Sequence, residues 1–221
     1  MSKFSSMAGV FPGEVATAET RDFLGPEALF PEEMALVSKA VPLRVREFAT
    51  GRWCARQALR DWAQKDSPLL PGPGRSPRWP EGFVGSISHA RGFCGAAVAR
   101  SRDFRSIGFD VERLDAVEPR LSAVVCTSSE LAWLAELSPS DQYGLLPLLF
   151  SAKEAAFKAQ FPVTEEFLDF HDVELRIDLD QRAFSARITP PSDQPTASFT
   201  LPGRFSVNDG LVLTGVIWLT E

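Results

Sequence analysis

Cysteine, histidine and net positive charge are all scarce in this chain, and long apolar runs are missing. The three cysteines, Cys54, Cys94 and Cys126, are an odd and unpatterned set. Such a set argues against a disulfide framework and against a cysteine zinc site, and makes a reduced cytoplasm the expected compartment. A formal net charge of −6 leaves no strongly basic footprint for nucleic acid, although local arginine clusters remain open. No stretch reaches the roughly 18 apolar residues that a membrane span needs. The opening MSKFSSMAGVFPGEVATAE turns acidic without a sustained apolar run, so it is not expected to act as a signal peptide. What is present is a globular composition. With 221 residues, 44% of them hydrophobic, there is material for one large domain or two small lobes.

Helical and strand patterns follow one another along the chain. Residues 1–30 are broken by Gly13, Gly25 and Pro26; a strand is expected there without a definite place. PEEMALVSKA (31–40) reads as a short helix, with Pro31 in its first turn and Glu32 and Glu33 near its positive end. Residues 41–63 read as a longer helix from the spacing of Val45, Phe48, Ala49, Leu59 and Trp62. The proline- and glycine-dense segment 67–82 is a loop. FVGSISH and FCGAAVAR read as strands around a turn at 89–92, and RSIGFDVE (105–112) as a third. Thr127-x-x-Glu130 is a capping box that opens a helix. A further helix, from near Leu145 with Pro147 in its first turn, carries FSAKEAAFKA (150–159). From Asp172 onward DVELRID, RAFSARIT, GRFSV and LVLTGVIWLT read as strands, the last two joined at Asn208-Asp209-Gly210. The order implies an α+β fold with mostly antiparallel sheet, and each half offers a long helix and about three strands.

Three groups of residues carry chemistry. Asp110 and Glu112 lie two apart on a strand and share a face. They are either a solvated strand end or a pair that needs a cation, for which a hard divalent ion is the usual solution. Glu154 and Lys158 share a helix face, either as a surface ion pair or as part of the same site. Three carboxylates from a strand and a facing helix suit Mg²⁺, which is often completed by substrate phosphates. Arg44, Arg52 and Arg56 lie along one helix, as a solvated basic stripe or as anion-recognising forks. His89 follows Ser86 and Ser88 at a strand-to-turn junction, a fair place for a phosphate contact, whereas His171 reads as structural.

Taken in order, GSISH (85–89), IGFDVE (107–112) and FSAKEAAFKA (150–159) resemble the 4′-phosphopantetheinyl transferases, specifically the monomeric type that activates surfactin and enterobactin synthetases. EFATGRWCARQAL (47–59) and RSPRWPEGFVGSISH (75–89) resemble its bacterial branch. The resemblance runs from about Val41 to Asp172. It implies a pseudo-symmetric monomer of two lobes, each a small, mostly antiparallel sheet on a long helix. The lobes would divide at 1–105, the coenzyme A nucleotide side, and 106–221, the metal and catalytic side. The implied reaction moves 4′-phosphopantetheine from coenzyme A to a serine of an apo acyl or peptidyl carrier protein and releases adenosine 3′,5′-bisphosphate. By the same resemblance Asp110, Glu112 and Glu154 hold Mg²⁺, and Glu154 takes the serine proton. Lys158 binds the pyrophosphate, and Lys153 is an auxiliary phosphate or carrier contact. Arg44, Arg52 and His89, with Ser88 nearby, grip the 3′-phosphate end, while Arg56 either joins them or braces the fold. Relatives often carry a lysine in the loop before the Trp-Pro element. Here that loop is PGPGRSPRWP, so Arg75 or Arg78 is expected to substitute.

Two other readings share parts of this set. A non-catalytic module binding coenzyme A or a carrier has no need for Asp110, Glu112 and Glu154 together. A Mg²⁺-dependent phosphohydrolase would use them with water as nucleophile. For the carrier, an acidic chain facing acidic partners suggests an apolar contact near the helix at Thr127 and the Phe161–Phe170 segment. No nucleic-acid or membrane partner is expected.

Overall fold

The computed structural model describes residues 7, 9–191 and 197–220. Two antiparallel sheets and two long helices dominate it. The first sheet has the order β1 (Ala16–Thr20), β3 (Phe93–Arg100), β2 (Phe83–Ala90). The second has the order β4 (Phe104–Arg113), β8 (Leu211–Leu219), β7 (Phe199–Asn208), β6 (Ala183–Ile188), β5 (Val173–Asp178). The fold is therefore α+β, as the alternation of strand and helix patterns implied. Strand β1 falls within the segment that the sequence left unplaced. Its ATAET is half-buried throughout, and only two small alanines, Ala16 and Ala18, alternate toward the core, too little apolar surface to reveal it.

Helix α1 (Pro31–Val37) is shorter than expected, and α2 (Pro42–Arg60) stops near the expected end. Short α3 (Ser122–Val125) precedes α4 (Ser128–Ala135), whose capping box is formed as read: Thr127 Oγ1 accepts from Glu130 N, and Glu130 Oε2 accepts from Thr127 N. Helix α5 (Pro139–Thr164) starts six residues before the expected Leu145. Pro139, not Pro147, occupies its first turn, where a missing N–H costs nothing. Pro147 lies inside the helix and removes a single backbone bond.

Three cores fill the spaces. Helix α2 packs on β2 and β3 through Cys54, Ala55, Ala58 and Leu59. Helix α5 packs on the five-stranded sheet through Leu149, Ala152, Ala155, Ala156 and Ala159. Between the sheets, Met7, Val10, Phe11 and Val15 join residues of β3, β4 and β8 in a shared seam. The alanines let α5 lie close to its sheet. At Gly108 the approach leaves no space, since a Cβ there would stand 1.8 Å from Ala155 O. That contact brings the helix bearing Glu154 and Lys158 against the strand bearing Asp110.

The cysteines are buried and free. Among the described residues no helix is long and apolar enough to cross a membrane.

Candidate active site

The two sheets meet where β2 runs beside β4. Phe109 N donates to Ser86 Oγ at 3.0 Å, so a serine side chain stands in for a ladder bond between the lobes. One step along, Ser88 Oγ donates to Asp110 Oδ1 at 2.8 Å. Lys158, reaching from α5, donates to the same oxygen at 2.6 Å and to Ser88 Oγ at 3.1 Å. Three residues that the sequence placed in separate motifs thus form one cluster.

Electrostatics around the cluster are unbalanced. Asp110 is buried, and its Oδ2 has no hydrogen-bond partner among the described residues. Burial, then the Asp110 charge, pushes the Glu112 carboxyl up to about 7. Burial also raises Glu154, with Asp110 adding to the rise and Lys158 opposing it. Carboxylates held this way favour an added cation, since an opposite charge nearby restores the ionised form. Among the described residues, three or more metal-ligating side chains are not gathered into a ready-made cluster. Lys158 occupies one oxygen of Asp110 and leaves the other free.

The phosphate-binding candidates divide. Arg44 is exposed, and its guanidinium lies 3.1 Å from His89 Nε2 and 3.4 Å from Glu47. His89 is held below its ordinary range by burial first, with Arg44 and Lys158 acting the same way against Glu47 and Asp110. Glu47 was not singled out in the sequence, although its place three residues after Arg44 on a helix was the available signal. Arg52 is buried. Its Nε donates to Leu69 O at 2.9 Å, its guanidinium lies 4.3 Å from the Phe48 ring centre, and burial lowers it to about 10. Arg56 is buried in an ion pair with Glu33 at 2.9 Å, which is the bracing alternative raised from the sequence.

Lys153 stands apart from the cluster. Its side chain is 1% exposed, paired with Glu130 at 2.7 Å, and bonded to Val125 O and Phe170 O. An ammonium has three donors. All three are engaged, so the expected phosphate or carrier contact has no donor left to make it. Glu33 and Glu130 were missed as buried partners because each reads as an ordinary acidic residue in a first helical turn.

Two hollows flank α5. One of about 460 Å³ is lined by Lys153, Glu154, Phe157, Phe167, Leu168 and Val173 among others. The other, of about 240 Å³, lies between Arg75, Trp79, Ser86, Phe157, Lys158 and Phe161. Arg75 is exposed on its rim. The preceding Gly74, at φ +57°, seats directly over the Phe161 ring, where a Cβ would come within 2.2 Å. His171 Nε2 lies 3.2 Å from Ala123 O, away from the cluster.

Comparison with known proteins covers nearly all of this arrangement. The family model for the 4′-phosphopantetheinyl transferase N-terminal domain matches residues 32–99, and that for the 4′-phosphopantetheinyl transferase superfamily matches residues 106–205. The 4′-phosphopantetheinyl transferase Svp of Streptomyces mobaraensis is 44% identical over 193 residues, covering 85% of this chain and 78% of the relative. PptT of Mycobacterium tuberculosis is 36% identical over 193 residues, covering 85% of each. Npt of Nocardia iowensis is 31% identical over 219 residues, covering 95% of this chain and 98% of the relative. Agreement of that extent, through both lobes, shows that the chain belongs to the 4′-phosphopantetheinyl transferase superfamily and is an enzyme of that activity.

Proposed function

We propose that this chain transfers 4′-phosphopantetheine from coenzyme A to the serine hydroxyl of an apo acyl or peptidyl carrier protein. It does so as a cytoplasmic monomer, with residues 1–105 on the nucleotide side and 106–221 on the catalytic side. The observation that carries this reading is the Ser88–Asp110–Lys158 cluster at the junction of the sheets, with Asp110 Oδ2 buried and unpartnered beside two carboxyls raised by burial.

That donor set suits Mg²⁺: oxygen ligands from Asp110, Glu112 and Glu154, an orphaned buried oxygen, and excess negative charge. When bound, the ion would neutralise and orient the pyrophosphate oxygens as a Lewis acid. Lys158 supplies a cation at the same place and is positioned to meet the leaving phosphate. Arg44 and His89 present donors at the end of β2 for the 3′-phosphate, and Glu47 holds the Arg44 side chain in place. Arg75 stands at the rim of the smaller hollow, where the family's loop lysine is missing. Glu154 faces the larger hollow and, once ionised, accepts the proton of the carrier serine as general base. The serine oxygen then bonds to the β-phosphorus while the phosphoanhydride bond to the nucleotide breaks. Catalysis of this kind is mostly positioning and charge neutralisation, which these side chains supply.

Intact-mass spectrometry of apo carrier protein incubated with the enzyme, coenzyme A and Mg²⁺ tests this. A gain of one phosphopantetheine at one serine, abolished by EDTA, is expected. Binding of coenzyme A without modification would favour a binding module. Phosphate release without carrier would favour a hydrolase.

A further inference from the structure

The same buried device recurs in both lobes at constant spacing. In the N-terminal lobe, Glu33 lies in the first turn of α1 and accepts from Phe30 N at 3.0 Å and from Leu69 N at 2.8 Å. Arg56 of α2 bonds both Glu33 oxygens, at 2.9 and 3.1 Å, and donates to Ala28 O. In the C-terminal lobe, Glu130 lies in the first turn of α4 and accepts from Thr127 N at 2.8 Å and from Leu175 N at 2.8 Å. Lys153 of α5 pairs with Glu130 and donates to Val125 O. Ala28 and Val125, Phe30 and Thr127, Glu33 and Glu130, and Arg56 and Lys153 are each 97 positions apart, with one counterpart in each lobe. No repeat is evident in the residue types, because the counterparts share only the role, apart from the two glutamates.

From this correspondence we infer that Lys153 is a positioning residue, which sets α5 so that Glu154 faces the reaction. The inference rests on the transferase reading above. Lys153 Nζ joins α5 to three backbone or side-chain partners at residues 125, 130 and 170, and Glu130 extends the tie to β5. Neighbouring residues on a helix are turned by about 100°. Both residues line the hollow, but the Lys153 ammonium is bonded inward with its side chain 1% exposed, whereas Glu154 is half-buried at the wall. A slide or rotation of α5 would break three bonds in a low-dielectric interior, where an unpaired charge is strongly disfavoured. Arg56 does the same for α2, the helix that bears Arg44 and Arg52. The C-terminal strut therefore governs turnover.

Two experiments test this. In the first, the metal-free wild-type protein is treated with an amine-acetylating reagent and digested for mass analysis. Lys153 is expected to stay unmodified with or without coenzyme A, while Lys158 is modified and coenzyme A protects it. Ready modification of Lys153 that coenzyme A blocks would overturn the inference. In the second, Lys153→Arg and the paired change Lys153→Met with Glu130→Gln are compared by kinetics and by calorimetry with coenzyme A. Lys153→Arg borrows the side chain of the N-terminal counterpart and should keep kcat within about threefold. The paired change should hold the coenzyme A Kd within about threefold while lowering kcat at least about tenfold, an effect on turnover and not on binding. A paired variant with wild-type kcat, or one losing coenzyme A affinity in proportion to kcat, would overturn it. Wild-type protein that leaves every apo carrier unmodified would remove the transferase reading and this inference together, an outcome distinct from either variant result.

Discussion

Lys158 Nζ lies 2.6 Å from Asp110 Oδ1, and this bond joins the long C-terminal helix to the strand that begins the second sheet. The carboxylate is 5% exposed and the ammonium 28%. Removing Lys158 leaves Asp110 buried beside Glu112 with no other ion-pair partner among the described residues. Lys158→Met is therefore expected to destabilise the metal-free protein by about 1–3 kcal/mol, less than a fully buried pair because Lys158 reaches solvent. Turnover should fall at least about 10². Urea unfolding with and without MgCl₂ checks the first part, and Mg²⁺ should recover much of the lost stability.

Glu154 is raised by burial and faces the larger hollow. Glu154→Gln keeps the shape but cannot accept the serine proton. Coenzyme A affinity by calorimetry should stay within about tenfold and turnover should drop by at least about 10². Near-normal turnover would remove Glu154 from the base role.

Why Glu154 and Lys158 were legible in the sequence, and Lys153 was not, follows from helical geometry. Four-residue spacing places Glu154 and Lys158 on one face whatever the helix packs against. Which of the adjacent Lys153 and Glu154 turns inward depends on how α5 is rotated. That rotation is set by partners up to 28 residues away in the chain, such as Val125 O. Asp110 and Glu112 were legible because strand alternation put both on one face, and the apolar IGF before them announced a buried strand. Thr127 and Glu130 were legible as a capping box. That Glu130 also meets Lys153 and Leu175 N was not, because both contacts are non-local. The α+β class was legible from the order of the patterns, whereas β1 turns only the small Ala16 and Ala18 to the core.

Gly108 sets the distance between α5 and β4. A Cβ there would meet Ala155 O at 1.8 Å and Ala159 N at 2.8 Å, both backbone atoms that cannot rotate away. Gly108→Ala should force the helix off the strand and destabilise the protein by about 3 kcal/mol, at the upper end for overpacking. Any folded fraction should show reduced turnover, since Lys158 and Asp110 lie on opposite sides of that contact. Thermal unfolding and carrier modification of the variant check both.

Phe167 is 72% exposed, yet its ring lies 5.0 Å from that of Phe161, which is only 6% exposed. These two aromatics of the Phe161–Phe170 segment, expected to meet the carrier, therefore have different roles. Phe161 closes the smaller hollow beneath Gly74, so its loss opens a cavity. Phe167 is free to meet a partner. Phe167→Ala should cost about 1 kcal/mol or less of stability and raise the KM for carrier about tenfold with kcat nearly unchanged. Unchanged carrier kinetics would place the docking surface elsewhere.

The Glu112 carboxyl, half-buried and pushed up to about 7, gives the metal-free protein a pH dependence with a definite sign. An unfolded glutamate titrates near 4.3. Because the folded value is higher, the folded state holds its proton more tightly, so the contribution to stability is fully present below the unfolded value. It fades as pH rises through about 7, where the folded protein must ionise Glu112 beside Asp110. Glu112→Gln keeps the protonated shape at every pH. Its Tm without metal should therefore exceed that of wild type at pH 8, and the gap should close toward pH 5. Adding Mg²⁺ at pH 8 should reverse the order, because the wild-type carboxylate gains a cation that the amide holds poorly. Differential scanning calorimetry at pH 5 and 8, with MgCl₂ and with EDTA, reads all four conditions. A gap that does not change with pH would show that Glu112 carries no such strain, and a gap that Mg²⁺ leaves unchanged would take Glu112 out of the metal-binding set.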